Sequence, residues 1–256
     1  MSAPLLELRG VSKHFQGLQA LSAVDLIGQA GEVRGLIGPN GAGKSTLISC
    51  ITGVNRIDGG SIYLHGRRID TLPAYRRARL GIARSFQKIR LAQELSVFEN
   101  VAVGLAATRQ PGFRLLSGRG IAEPVHAALE AAGIADLVDH TAASLSYGKR
   151  HLVELARILV ARPEVVMLDE PATGLTDAER ARLGEVVRGI AEGGALVLLV
   201  EHDLDLVGRL CDRVTVIEYG RRIFDGTPAA AQRDEAVIRA YLGTATLARE
   251  AEHEEA

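Results

Sequence analysis

Short apolar runs separated by glycines open the chain, and helical spacing takes over further along. Leu5 to Phe15 and Ala23 to Leu36 carry short alternating or apolar runs, broken by Gly17 and Gly31. That pattern predicts antiparallel strands joined by tight turns. Gly35, Leu36 and Ile37 read as a buried strand that stops at Gly38. Lys44 to Ile51 places Leu47, Ile48 and Ile51 on one helical face, with Gly53 as the stop. Ser61 to Leu64 reads as one more strand. From Pro73 onward the pattern becomes helical and basic, and Phe98 to Ala107 predicts a further helix. Gln110 to Gly120, rich in Gly and Arg, reads as a mobile loop. Val125, Ala128, Leu129 and Ala132 share a helical face, and Leu152, Leu155, Ala156 and Leu159 repeat that spacing after Ser146.

Val165 to Leu168 and Leu196 to Val200 are short apolar runs that end in polar residues. This is the signature of parallel strands buried on both faces. Asp177 to Glu192 fits the crossover helix between them, and Arg213 to Ile217 with Arg221 to Phe224 reads as a hairpin around Gly220. The order predicts an α/β protein with a parallel-sheet core, an N-terminal antiparallel β subdomain and an α-helical subdomain inserted at roughly 72–159. Residues 1–243 are expected to form one domain, and 244–256 a flexible acidic tail.

Composition narrows the classes. With 47% hydrophobic and 24% charged residues among 256, wholesale disorder is excluded. Aromatics are 4% with no Trp, so the core must be aliphatic. The net charge of −1 provides no global field toward nucleic acid or an anionic membrane. Cys50 and Cys211 sit in no metal-binding spacing and read as buried thiols. The first residues contain no apolar signal segment. The longest apolar stretch, 195–200, falls far short of the ~20 residues of a membrane span. A cytoplasmic chain is expected.

One stretch carries chemistry outright. Gly38-Pro39-Asn40-Gly41-Ala42-Gly43-Lys44-Ser45 matches GxxxxGK[ST] between a predicted strand and a predicted helix. Its glycines let consecutive backbone N–H groups turn toward phosphate oxygens, and the helix aims its positive end at the same charge. Lys44 adds a point charge for the β/γ-phosphates, and Ser45 offers a hydroxyl to Mg²⁺. The run Val165 to Glu170 supplies the second element, an apolar strand delivering carboxylates beside the phosphates. Asp169 is the expected Mg²⁺ ligand, and Glu170 the group that orients or deprotonates the attacking water.

Leu145-Ser146-Tyr147-Gly148-Lys149 lies about 20 residues before Asp169 and opens a helix. It resembles the signature motif of ABC-transporter ATPase subunits. The order P-loop, signature, Asp-Glu and then His202 is that of the family, and the resemblance spans nearly the whole chain. It implies a P-loop NTPase core, ATP and Mg²⁺ as cofactors, and adenine stacking on Phe15. It extends the nucleotide contacts through Thr46, makes Gln87 the glutamine that meets Mg²⁺, and makes His202 the histidine that contacts the γ-phosphate and the attacking water. It also implies a dimer with a second ABC ATPase subunit. The signature of each subunit then closes over ATP held by the other, on transmembrane permease subunits at the inner face of the membrane. Two departures stand out: Lys149 replaces the usual Gln or Glu, and Thr176 the usual Asp or Asn.

Finer features resemble the branched-chain amino-acid importer ATPases of the LivG type. These are Gly81 to Gln87, Ile89 to Leu91, Ser96 to Val101, Tyr147 and Tyr241-Leu242-Gly243. Leu72 to Gly81 is shared with lipopolysaccharide-export ATPases and with urea or amide importers. A soluble ABC ATPase of cofactor assembly is the alternative outside transport. Between Arg67 and Arg90 eight basic residues face one acid, Asp70. The segment reads as a solvated face, as a contact with permease or lipid headgroups, or as a nucleic-acid site. With only Tyr75 and Phe86 interleaved, no nucleic acid is expected.

Overall fold

The computed structural model describes residues 3–85, 89–108 and 119–241. β1 (Leu6–Phe15) and β2 (Leu18–Gly28) pair antiparallel. Gln16 and Gly17 between them have φ of 44° and 90°, the doubly positive geometry that suits a two-residue hairpin to twisted strands. β4 (Gly59–Leu64) and β5 (Arg67–Arg68) extend this sheet beyond β1.

The second sheet contains β3 (Val33–Ile37), β6 (Ile82–Arg84), β7 (Val165–Asp169), β8 (Leu196–Val200), β9 (Arg213–Glu218) and β10 (Arg221–Gly226). Its order is β10-β9-β3-β8-β7-β6, and every pairing is parallel except the β9–β10 hairpin. Every residue of β3, β7 and β8 is buried. That is why these strands read as continuous apolar runs rather than as alternations.

Eight α-helices lie among the described residues. They are α1 (Lys44–Thr52), α2 (Ala74–Arg79), α3 (Val97–Ala102), α4 (Arg119–Ala131), α5 (Tyr147–Leu159), α6 (Asp177–Glu192), α7 (Leu204–Leu210) and α8 (Pro228–Ala231). The first core lies between the two sheets, where Leu47, Ile48 and Ile51 of α1 meet Leu6, Leu8, Leu21 and Leu36. A second covers the other face of the parallel sheet, beneath α6 and α7. A third, with Val97, Val101, Val125, Leu129 and Val153, holds α3, α4 and α5 together as a separate helical lobe.

Two expectations shift. The helical pattern read from Pro73 onward ends at α2, because Ile82–Arg84 forms a strand paired to Val165–Met167. The helical lobe therefore starts after this strand rather than at Leu72. Three residues are too few to show a period, and only the ready edge of β7 makes them a strand. The helix expected over 98–107 is α3 followed by a 3-10 stretch, Val103–Thr108. The expected loop at 110–120 lies outside the described residues up to 118, and α4 already includes Arg119 and Gly120. The acidic tail also lies outside them.

The basic segment is not one face. Arg67, Arg68, Arg76 and Arg79 are exposed, but Arg77 is 1% exposed. Its guanidinium donates to the carbonyls of Cys50, Ile51, Asp70 and Leu72, using all three nitrogens. It satisfies the last carbonyls of α1, where a cation is favoured by the helix dipole. Both cysteines are buried and free, and burial pushes Cys50 up to about 11 and Cys211 up to about 12, so both stay thiols.

Candidate nucleotide site

Strand register assembles the site. Leu36 of β3 and Asp169 of β7 both stand level with Val200 of β8. Three strands therefore end together. The chain leaves them as the Gly38–Ser45 loop, as Glu170, and as Glu201-His202. Polar residues that lie 30 or 130 positions apart are brought to one carboxyl edge, where open parallel sheets bind ligands.

The loop is locked from two sides. Gly43 caps α1 at a φ of 107°, and a Cβ there would come within 2.7 Å of the Ala20 carbonyl oxygen. Glycine is required for β2 to lie this close. The Gly220 N–H donates to Ala42 O at 2.9 Å, and Ser22 N–H to Gly220 O at 2.8 Å, so the β9–β10 turn ties loop to β2. No acid occupies the first turn of α1 to oppose an anion.

These elements enclose a cavity of about 500 Å³, in the range of small-molecule sites. Asn40 to Thr46 line it together with Phe15, Leu18 to Ala20, Glu170 and Tyr219-Gly220. Phe15 is 41% exposed at the hairpin end, with the Lys13 ammonium 5.1 Å from its ring centre. Gly38 and Pro39 lie behind the wall, where their carbonyls accept from Lys44 Nζ at 2.6 and 2.8 Å. Burial pulls the Lys44 ammonium down from its ordinary value, while Glu170 and Asp169 act the other way.

Glu170 has a φ of 51°, uncommon for a residue with a side chain. Its N–H donates to Val200 O at 2.9 Å, which holds the carboxylate-bearing residue at the cavity wall. Asp169 is 5% exposed, and its Oδ2 accepts from Arg84 Nη2 at 2.7 Å. His202 is exposed at the end of the adjacent strand but is not part of the cavity wall. Gln87 lies outside the described residues.

The signature motif is elsewhere. None of Leu145 to Lys149 lines the cavity. Ser146 caps α5, its hydroxyl accepting from the Lys149 N–H at 3.4 Å, and it is exposed. Behind it the packing is tight. A Cβ on Gly148 would meet Glu179 Oε1 at 2.0 Å, and the Tyr147 ring lies against Gly174 and edge-on to His151. Thr176 is not idle: it caps α6 through a reciprocal capping box with Glu179.

Sequence reasoning missed three participants. Tyr219 lines the cavity while 81% exposed, and a lone aromatic in a hairpin turn gave no signal. Glu201 is 1% exposed, accepts from the Ala172 N–H at 3.0 Å, and is pushed up by burial. Arg84 was visible as one of eight basic residues and within the Gly81 to Gln87 run, with no role of its own. The donor set suits Mg²⁺, which takes most of its oxygens from phosphate and water and few from protein. Ser45 and Asp169 supply such oxygens, and no cage of three His, Cys, Asp or Glu residues exists among the described residues.

A glycine loop between strand and helix, a lysine at its end and an acid pair at the end of a parallel strand one removed in the sheet define a P-loop ATPase. Comparison with known proteins narrows the class. Residues 21–173 match the ABC transporter family, and 221–246 match the family described as branched-chain amino acid ATP-binding cassette transporter. LivG of Escherichia coli (strain K12) and BraF of Pseudomonas aeruginosa, both high-affinity branched-chain amino acid transport ATP-binding proteins, are each 38% identical over 258 residues. Each alignment covers 96% of this chain and 100% of the relative. A crystal structure of an ATP-binding cassette of an ABC transporter, in its ADP conformation, aligns with a TM-score of 0.86 and 29% identity over 94% of this chain and 100% of that one. This chain belongs to the ABC transporter ATP-binding family, and it is an ATPase that energises a transporter.

Proposed function

We propose that the chain binds and hydrolyses ATP to drive import of branched-chain or other hydrophobic amino acids, at the inner face of the cell membrane. The observation that carries the chemistry is the convergence of Lys44 and Glu170 on one cavity, with Asp169 directly behind it. The amino-acid cargo rests on the match over 221–246 and on the relatives LivG and BraF.

In this reading Phe15 stacks on the base, and the loop from Gly38 to Thr46 cradles the phosphates. Lys44 leaves the Gly38 and Pro39 carbonyls and neutralises phosphate charge. Ser45, Asp169 and Gln87 hold Mg²⁺, which when bound offsets the charge that builds up on the transferred phosphoryl group. Glu170 orients or deprotonates the attacking water, and His202 approaches the γ-phosphate from the neighbouring strand. Ser146 and Gly148 stand at a helix N-terminus outside the cavity, so they serve ATP held by a second ATPase subunit, either a copy or a paralogue. Residues 1–243 act as one ATPase domain in this scheme.

The permease would dock on the groove of about 560 Å³ between α2, β6 and the helical lobe. Tyr75, Val54 and Val103 are 56, 68 and 58% exposed there, an unusual amount of apolar surface for one groove. The exposed Arg76 and Arg79 flank Tyr75, in line with a membrane-proximal contact.

A tagged Glu170→Gln variant pulled down with ATP from detergent-solubilised native membranes tests the assignment, read by mass spectrometry. Two multi-span permeases and an ATPase partner are expected, with a binding protein encoded beside them that takes branched-chain amino acids. A soluble scaffold without any membrane protein would overturn the transport role and leave the ATPase chemistry intact.

A further inference from the structure

Two arginines of the basic segment turn inward, and they are built differently. Arg77 spends all three nitrogens on main-chain carbonyls, as a structural cation does. Arg84 bonds only side chains, one the Asp169 carboxylate and the other on α1, the helix that follows the phosphate loop. Its Nη2 reaches Asp169 Oδ2 at 2.7 Å, and its Nη1 reaches Ser49 Oγ at 3.1 Å. Ser49 in turn donates to the carbonyl of Ser45, the residue whose hydroxyl faces the phosphates in the reading above. Arg84 Nε is buried without a hydrogen-bond partner among the described residues. The guanidinium is thus held by one carboxylate and one hydroxyl, and Arg84 also lines the exposed groove with Ala83 and Tyr75.

We propose that Arg84 is a positioning residue of the metal–nucleotide site: it is the built-in counter-charge of Asp169 and competes with Mg²⁺ for that carboxylate. The inference rests on Asp169 being the Mg²⁺ carboxylate. A buried carboxylate needs a counter-charge, and Arg84 supplies one within the chain. It uses one carboxylate oxygen, leaving Asp169 able to serve an ion, but its positive charge opposes a divalent cation at close range. The same charge favours metal-free ATP, which is more negative than its magnesium complex. Arg84 therefore narrows the gap between the affinities for Mg²⁺-ATP and for metal-free ATP. Because the same side chain faces the groove, an occupant of the groove would press on the residue that holds Asp169.

The test is calorimetric titration of ATP into the full-length protein, with Mg²⁺ and with excess chelator, for wild type, R84Q, R84K and D169N. R84Q is expected to widen the ratio of the two affinities by about tenfold. R84K keeps the charge and should stay within about twofold of wild type. D169N should collapse the ratio. An unchanged ratio in R84Q, with a collapsed one in D169N, would overturn the role of Arg84 and leave the metal reading standing. An unchanged ratio in D169N would instead remove Asp169 from the metal site, and this inference with it. Should R84Q not fold, the wild-type protein still decides. With ADP bound and arginine side chains isotopically labelled, the Arg84 guanidinium resonance is expected to move on addition of Mg²⁺. A resonance that does not move would overturn the proposal.

Discussion

Two helix N-termini carry the motifs assigned to ATP in the proposed function, and they differ in what surrounds them. The start of α1 is roofed by β2, tied to the β9–β10 turn, and faces Glu170 across a cavity of about 500 Å³. The start of α5 has its capping Ser146 exposed and its packing all on the far side, where Gly148 and Tyr147 lie against Glu179 and Gly174. Backbone N–H groups and helix dipole are common to both. The surrounding walls are not, and electrostatic interactions strengthen where walls displace water. The first site can bind nucleotide with groups from one chain. In the proposed function the second acquires its ligand only when another chain brings one.

Substitutions probe that contrast in order of size. Glu170→Gln should lower ATP turnover by about 10²–10⁴-fold while leaving ATP affinity nearly intact, as measured by phosphate release and calorimetry. Lys44→Ala should weaken ATP binding by about a hundredfold, since a charge-assisted bond to phosphate is lost. Unchanged affinity there would place phosphate neutralisation elsewhere. Ser146→Ala should cut turnover by about tenfold yet leave the chain's own ATP affinity within about twofold. A comparable loss of affinity would mean that the two helix starts serve one nucleotide, and the contrast drawn above would fail. Phe15→Ala should weaken ATP and GTP alike, by about tenfold, because stacking tolerates either base.

The smallest effect concerns the contact behind the signature. Thr176→Ala should lower Tm by about 2–4 °C through loss of the α6 cap. The Thr176 backbone and hydroxyl bonds hold the Glu179 carboxyl below its ordinary value of 4.5. The stability tied to it is thus present above pH 4.5 and lost as pH falls through the lower folded value. Melting curves of Thr176→Ala across that acid range should be flatter than those of wild type.

The parallel strands, the crossover helix and the P-loop were legible because each is written locally, as an apolar run, a helical face or a spaced glycine motif. Ile82–Arg84 was not, since its three residues become a strand only against β7. Arg77 and Arg84 looked like their exposed neighbours, because charge alone does not say which way a side chain turns. Tyr219 and Glu201 were silent for the same reason: one is an exposed aromatic in a turn and the other an acid between an apolar strand and a histidine.

Residue order alone marked a P-loop phosphate site, since phosphate chemistry demands a contiguous loop whose residues carry their own geometry, and the ABC type rested on a family resemblance. Which distant side chains share that loop's field was settled by folding. Asp169 meets Arg84 because β6 adds to the edge of β7, and Tyr219 reaches the cavity because a hairpin closes over Ala42. Such contacts depend on register and layer packing, and neither leaves a mark in local sequence.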